Sequence, residues 1–167
     1  MAHSFDIVTE SSASVEDIHA TFGREDYWLA RCAANGAPTT LDSLIVDADG
    51  TVNVRTTQHL GRQLLPGVVA KLVPGELKIQ GSETWTPVGD RQVRGQLNVL
   101  AHGGLGSSRT EVWLSPAGNG SQLRFAGSFE VKIPLVGGKL EKSLGGGMAK
   151  TIPAVGLFTT AWIAEHA

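Results

Sequence analysis

Residues 76–102 read ELKIQGSETWTPVGDRQVRGQLNVLAH. On both sides of Val88-Gly89-Asp90 the pattern has period two: Leu77, Ile79, Gly81, Glu83 and Trp85 lead into the turn, and Val93, Gly95, Leu97 and Val99 follow it. Period two places alternate side chains on one face of an extended chain, and the Gly-Asp pair supplies the reversal between two strands. This stretch predicts an antiparallel hairpin with strands near 76–87 and 91–102, one face apolar and the other polar.

The same rhythm extends outward. Turn residues recur at Asp47-Ala48-Asp49-Gly50, Pro74-Gly75, Gly103 to Gly106 and Ala117-Gly118-Asn119-Gly120. They delimit further strands near 40–47, 51–60, 108–115 and 121–132, joined as a meander. Ser4 to Val8 forms one more short strand. Ser14 with Asp17 three residues on marks a helix start, with Val15, Ile18, His19 and Phe22 on one face. After Gly23, Tyr27 to Ala34 makes a second short helix ending at Asn35-Gly36. Residues 62–73, with Leu64, Leu65, Val68, Val69 and Leu72, suit a short helix or a loop covering one end of the sheet.

Beyond Ile133-Pro134-Leu135-Val136-Gly137-Gly138, apolar residues recur at helical steps: Leu140, Leu144, Met148, Ile152, Val155, Phe158 and Trp162. That is a long helix with one apolar stripe. Gly145-Gly146-Gly147 weakens it and Pro153 removes a backbone donor, so a kink or break is expected over 145–153. Three readings of that bend stand: a hinge for a ligand gate, a static bend following the sheet, or glycines that let helix and sheet approach closely.

Composition bounds the function. The chain has 167 residues, 41% apolar, 18% charged, with a net charge of −2. It is read as one domain over residues 1–167, with a core large enough to need neither metal nor disulfide. No Lys/Arg block appears, which argues against a nucleic-acid partner. Cys32 is the single cysteine, so it joins no CxxC motif and is expected in the core. No basic leader or membrane-length apolar run is present, which points to the cytoplasm. Thr151 to Ala164 is read as core-facing helix, with transient membrane contact as the alternative.

The order of elements, strand, two short helices, six antiparallel strands and a long C-terminal helix, resembles the START-like (helix-grip, SRPBCC-type) superfamily. Within it the chain is similar to an actinobacterial family of uncharacterised START-like proteins. The resemblance rests on Ser4-Phe5-Asp6, Tyr27-Trp28, Leu41-Asp42-Ser43-Leu44, Asp49-Gly50-Thr51-Val52, Thr57-Gln58, Glu83-x-Trp85 and Val131 to Gly138. It implies an α+β fold, a curved sheet of about seven strands wrapped around the C-terminal helix, and a lipid, polyketide, sterol or hormone held between them. It implies no catalytic residues.

The alternation defines the inward face more closely. Val52, Val54, Thr56, Gln58 and Leu60 join the hairpin's apolar set, followed by Val112, Leu114, Leu123, Phe125, Gly127, Phe129 and Val131. Thr56, Gln58 and Glu83 stand out, because an inward carboxylate needs a partner or a proton. One reading makes Gln58 and Glu83 the polar groups that orient a ligand. The other turns Glu83 outward at a Gly81 bulge, or pairs it with Arg55 or Arg94. The expected ligand contacts are Trp28, Thr56, Gln58, Glu83, Trp85, Leu97, Phe125, Phe129, Met148 and Ile152, although Trp28, Tyr27 and Trp85 equally suit core or rim positions.

Enzyme motifs are missing. His102-Gly103-Gly104 has no Gly-x-Ser-x-Gly partner, and neither Gly145 to Thr151 nor Gly104-x-Gly106 completes a phosphate or dinucleotide loop. His3, His19, His59, His102 and His166 lack metal-ligand spacing, so neither metal nor cofactor is expected. A carrier or sensor of a small apolar molecule is the leading expectation. A polyketide cyclase or aromatase using Glu83 as acid/base, with His59 or Arg55, is the alternative. It requires Glu83 to face the cavity beside a second titratable group. A protein-binding adaptor is a third reading, favoured by an interior filled with side chains together with an apolar patch outside.

Overall fold

The computed structural model describes residues 3–73, 75–133 and 137–167. The turn expected at Pro74, the run Pro134-Leu135-Val136 and the side chain of Leu144 lie outside the described residues. The chain runs β1 (His3–Ser11), α1 (Val15–Phe22), α2 (Glu25–Ala33), β2 (Thr39–Val46), β3 (Val52–Leu60), α3 (Gly67–Ala70), β4 (Leu77–Gly89), β5 (Gln92–Ala101), β6 (Gly106–Ala117), β7 (Gly120–Val131) and α4 (Gly137–Glu165). The seven strands form one antiparallel sheet in the order β1-β7-β6-β5-β4-β3-β2. This is the helix-grip fold, with the short helices between β1 and β2.

Side-chain alternation sets the register. Thr56 pairs with Gly81 and Gly81 with Val99, while Val54 pairs with Glu83 and Glu83 with Leu97. The β3–β4 ladder runs without a shift from Val52 opposite Trp85 to Leu60 opposite Leu77. The bulge considered at Gly81 is therefore absent, and Glu83 keeps the inward orientation of Trp85 and Leu77.

Caps fix the short helices. The Ser14 hydroxyl accepts from the Asp17 backbone N–H at 3.1 Å, and Val15, Ile18 and Phe22 are buried beneath α1. Helix α2 starts at Glu25, two residues before the expected Tyr27. Arg24, extended at its N-cap, carries a guanidinium that grips Asp26 in the first turn. Tyr27 and Trp28 are thereby driven into the main core, which also holds Val52, Trp85, Val112, Leu114 and Trp162. A second core of Val69, Val73, Leu77 and Ile133 occupies the other end of the sheet.

Helix α4 runs unbroken for 29 residues through Gly145–Gly147 and Pro153. The expected break does not occur, because packing on β1 and β7 sustains a helix that propensity alone would interrupt. Gly145 permits this closeness: a methyl group there would lie 2.6 Å from the His3 ring on β1. Gly146 and Gly147 have open space instead. No helix among the described residues is long and apolar enough to cross a membrane.

Candidate functional site

The inward face of the sheet does not fill the space beneath α4. At the end where β3 finishes and β4 begins, a cavity of about 450 Å³ lies between the sheet, residues 60–69 and the first half of α4. Its walls are almost wholly apolar, with Leu65, Val69, Ile79, Val99, Phe129 and Met148 among them. Short helix α3 and the 3-10 turn Arg62–Leu64 form its cover, as the sequence suggested for residues 62–73.

A second cavity of about 50 Å³ lies deeper, under α1 and the second half of α4. Trp85, Leu97, Phe125 and Val155 line it, and so do two charged groups, Glu83 and Arg31. The guanidinium of Arg31 stands 3.6 Å from the Glu83 carboxylate, and their side chains are 24% and 18% exposed. Glu83 also accepts from the Trp85 indole N–H at 3.0 Å. The arginine pairing with Glu83 is thus Arg31, not Arg55 or Arg94. Arg55 and Arg94 alternate onto the outer face, where Arg94 pairs with Glu111 and stacks on Trp113. His59 also points outward, with Nδ1 3.0 Å from Glu76, so neither His59 nor Arg55 assists Glu83.

Tyr27 completes the polar group. Its hydroxyl lies 2.7 Å from Thr159 Oγ1, and the Thr159 hydroxyl itself donates to the Val155 carbonyl, so Tyr27 donates to Thr159. The Tyr27 oxygen is left with lone pairs free to face Arg31. Burial pushes the Tyr27 pKa up, only partly opposed by Arg31. For Arg31, burial works against the charge, but Glu83 and Tyr27 outweigh it and raise the guanidinium pKa above its ordinary value. Arg31 therefore stays cationic, braced from behind by the Trp28 ring at 4.8 Å.

The two cavities are neighbours along the sheet. Leu97 and Val99, successive inward residues of β5, belong to one each, about 7 Å apart by strand geometry. Directly opposite Val99 on β4 lies Gly81, where a side chain would meet only Thr56 Oγ1 at 3.2 Å. The sheet surface is bare at that point.

Of the residues expected at a site, Glu83, Trp85, Leu97 and Phe125 meet at the small cavity, and Phe129 and Met148 at the wide one. Thr56 borders the bare stretch at Gly81. Ile152 sits on α4 one turn from Met148 and one from Val155, on neither lining. Trp28 is buried, its indole donating to the Phe22 carbonyl at 2.7 Å, and touches neither cavity. Gln58 is held at the rim by Asn35 at 3.0 Å. Arg31 was not anticipated, although it follows Tyr27 and Trp28 by four and three residues and so shares their helix face. Cys32 is partly buried rather than in the core, and burial raises its thiol pKa. Among the described residues no cluster of three His, Cys, Asp or Glu side chains could hold a metal ion.

Comparison with known proteins places this architecture. The family model described as "Protein of unknown function (DUF2505)" matches residues 6–163. An uncharacterised protein of Mycobacterium tuberculosis is 33% identical, with 99% of each chain covered. Among solved structures, a Thermus thermophilus protein, TTHA0849, has a TM-score of 0.60 at 13% identity, covering 99% of both chains. Norcoclaurine synthase from Thalictrum flavum, solved with dopamine and hydroxybenzaldehyde, has a TM-score of 0.50 at 20% identity. That alignment covers 100% of this chain and 89% of the synthase. The two structures share the fold.

Proposed function

This chain belongs to the DUF2505 family, and from that premise we propose that it is a START-like carrier or sensor of a small amphipathic molecule. The apolar body of the ligand occupies the wide cavity, and its polar end reaches over Gly81 toward Arg31 and Glu83. The observation that carries this reading is the apolar cavity of about 450 Å³, a volume in the range that suits small-molecule sites. In this reading one molecule spans both chambers across Gly81, where the sheet carries no side chain. The dopamine and hydroxybenzaldehyde held by norcoclaurine synthase support small-molecule occupancy of this fold.

A polyketide cyclase-like enzyme is the second reading, favoured by Glu83 facing the small cavity beside Tyr27 and Arg31. The carrier reading leads because the Glu83 carboxylate is already engaged by the Trp85 indole N–H and faces the Arg31 guanidinium, an arrangement suited to orienting the polar end of a bound molecule. An adaptor is less well supported, since the interior is not filled.

Native mass spectrometry of the purified protein, organic extraction of bound material and titration with an apolar fluorescent probe test the proposal. A co-purifying small molecule, or saturable one-to-one probe binding displaced by dodecanoate, is expected. No extractable molecule together with non-saturable probe binding would overturn it.

A further inference from the structure

The cover of the wide cavity is apolar on both sides. Residues 64–73 contain three doublets, Leu64-Leu65, Val68-Val69 and Leu72-Val73. The second members form an inward stripe at four-residue spacing: Leu65 lines the cavity, and Val69 and Val73 are each 7% exposed. Of the first members, Val68 and Leu72 are 39% and 53% exposed and line neither cavity, whereas Leu64, 48% exposed, also borders the wide cavity. Packing of the protein's own core and cavity accounts for Leu64 and the inward stripe, and not for Val68 and Leu72.

Charge singles out the same end of the molecule. The described residues within 60–78, 101–106 and 130–142 build it, and they carry six Lys/Arg against three Asp/Glu, whereas the other residues of the chain carry eight against thirteen. Five of the six lysines are here: Lys71, Lys78, Lys132, Lys139 and Lys142, all exposed, as is Arg62. Two of the three acids are engaged locally. Glu141 is 5% exposed and accepts from the Val131 N–H at 2.9 Å, and Glu76 is paired with His59. A chain of net negative charge therefore presents a basic end centred on the exposed Val68 and Leu72.

We propose that this end docks on an anionic lipid bilayer, with Val68 and Leu72 entering the interface and the surrounding lysines facing lipid phosphates. A shallow apolar ridge with basic residues around it is the pattern of an interfacial membrane contact. Two other occupants fit less well. A symmetric second copy would bring two basic ends together, which like-charge repulsion opposes. Protein interfaces are depleted in lysine and favour Arg, Trp and Tyr, whereas five of the six cations here are lysines. The docking does not depend on what fills the cavity, but it places the cavity's cover against the phase in which an apolar ligand dissolves.

Sedimentation with vesicles tests it, using the whole chain with phosphatidylcholine alone and with mixed phosphatidylglycerol and phosphatidylcholine, at low and high salt. Binding is expected to the anionic vesicles only and to fall at high salt. Lys71→Glu and Lys139→Glu should each weaken it about fivefold or more, and Val68→Ser with Leu72→Ser should weaken it without changing the salt dependence. Circular dichroism and apolar-probe titration confirm that the variants are folded. The salt and lipid dependence of the unaltered protein decides the matter if they are not. Equal or absent binding to both vesicles, salt-insensitive binding, a dimer through this face, or retention by polyglutamate without binding to anionic vesicles would each overturn the proposal.

Discussion

The indole of Trp85 on β4 lies across Gly95 on β5, so close that a methyl group at residue 95 would come within 2.6 Å of the ring. The glycine makes room for the ring, and the ring's N–H in turn holds the Glu83 carboxylate. Gly95→Ala should displace the indole and lower stability by about 1–3 kcal/mol, the usual range for overpacking a filled core. Urea denaturation followed by tryptophan fluorescence measures both effects. An unchanged midpoint and spectrum would refute the steric account.

If the ligand crosses the sheet at Gly81, a side chain placed there should block it without unfolding the protein. Gly81→Leu is the substitution to use, because its Cβ meets only the Thr56 hydroxyl. Gly127→Leu looks equivalent on the inward face but is not, since its Cβ would overlap the Arg109 carbonyl and Thr110 backbone on β6. Probe titration and melting of the two variants should separate them: weakened binding with a normal melt for Gly81→Leu, and loss of the folded state for Gly127→Leu.

Arg31→Gln removes the charge that faces Glu83 while leaving the Trp85 bond in place. The pair is partly exposed, so a loss of about 1–2 kcal/mol is expected rather than the larger penalty of a fully buried pair. Dodecanoate should lose about tenfold in affinity, and its methyl ester should bind nearly unchanged. Isothermal titration of both ligands reads the difference.

Tyr27 is the only tyrosine, and burial raises its pKa above the ordinary 10.0. A raised acid retains its proton longer in the folded state than in the unfolded one. Its contribution to stability is therefore complete below about pH 10 and is lost as pH rises from there through the folded value. Tyrosinate absorbance should rise only as the fold is lost, and Tyr27→Phe should flatten the alkaline arm of the stability curve.

At Gly146 and Gly147 a methyl group would meet nothing within 4 Å, unlike one at Gly145 against His3. Gly146→Ala should therefore stabilise the protein by about 0.5–1 kcal/mol through helix propensity. A thermal melt tests this, and amide exchange over 145–153 should be no faster than in the flanking turns.

Much of this was legible from alternation. The inward set from Val52 to Val131 could be read because the sheet is a plain meander, and each hairpin carries its parity into the next strand. Glu83 was visible as an anomaly on that face for the same reason. Arg31 was hidden because an arginine near the end of a short helix reads as solvent-facing until the helix is docked. The continuity of α4 was equally hidden. Glycine and proline report local propensity, whereas contact with β1 decides the outcome. Trp28 and Gln58 sat in the right region, but whether a side chain meets the cavity depends on neighbours such as Phe22 and Asn35 that strand parity does not reveal.

The sheet is completed where β1 joins β7, in a ladder that runs from His3 opposite Phe129 to Ser11 opposite Ser121. Those partners are more than a hundred residues apart, so β1 has no neighbour in the sheet until β7 has been made. Helix α4, packed on both, comes later still. On the ribosome, the apolar inner face of β3 to β6 is therefore wet and unguarded for most of synthesis. Non-local closure is slow, and exposed strands invite aggregation in the interval. The same open trough that becomes a binding chamber is, for a nascent chain, the surface most in need of a chaperone.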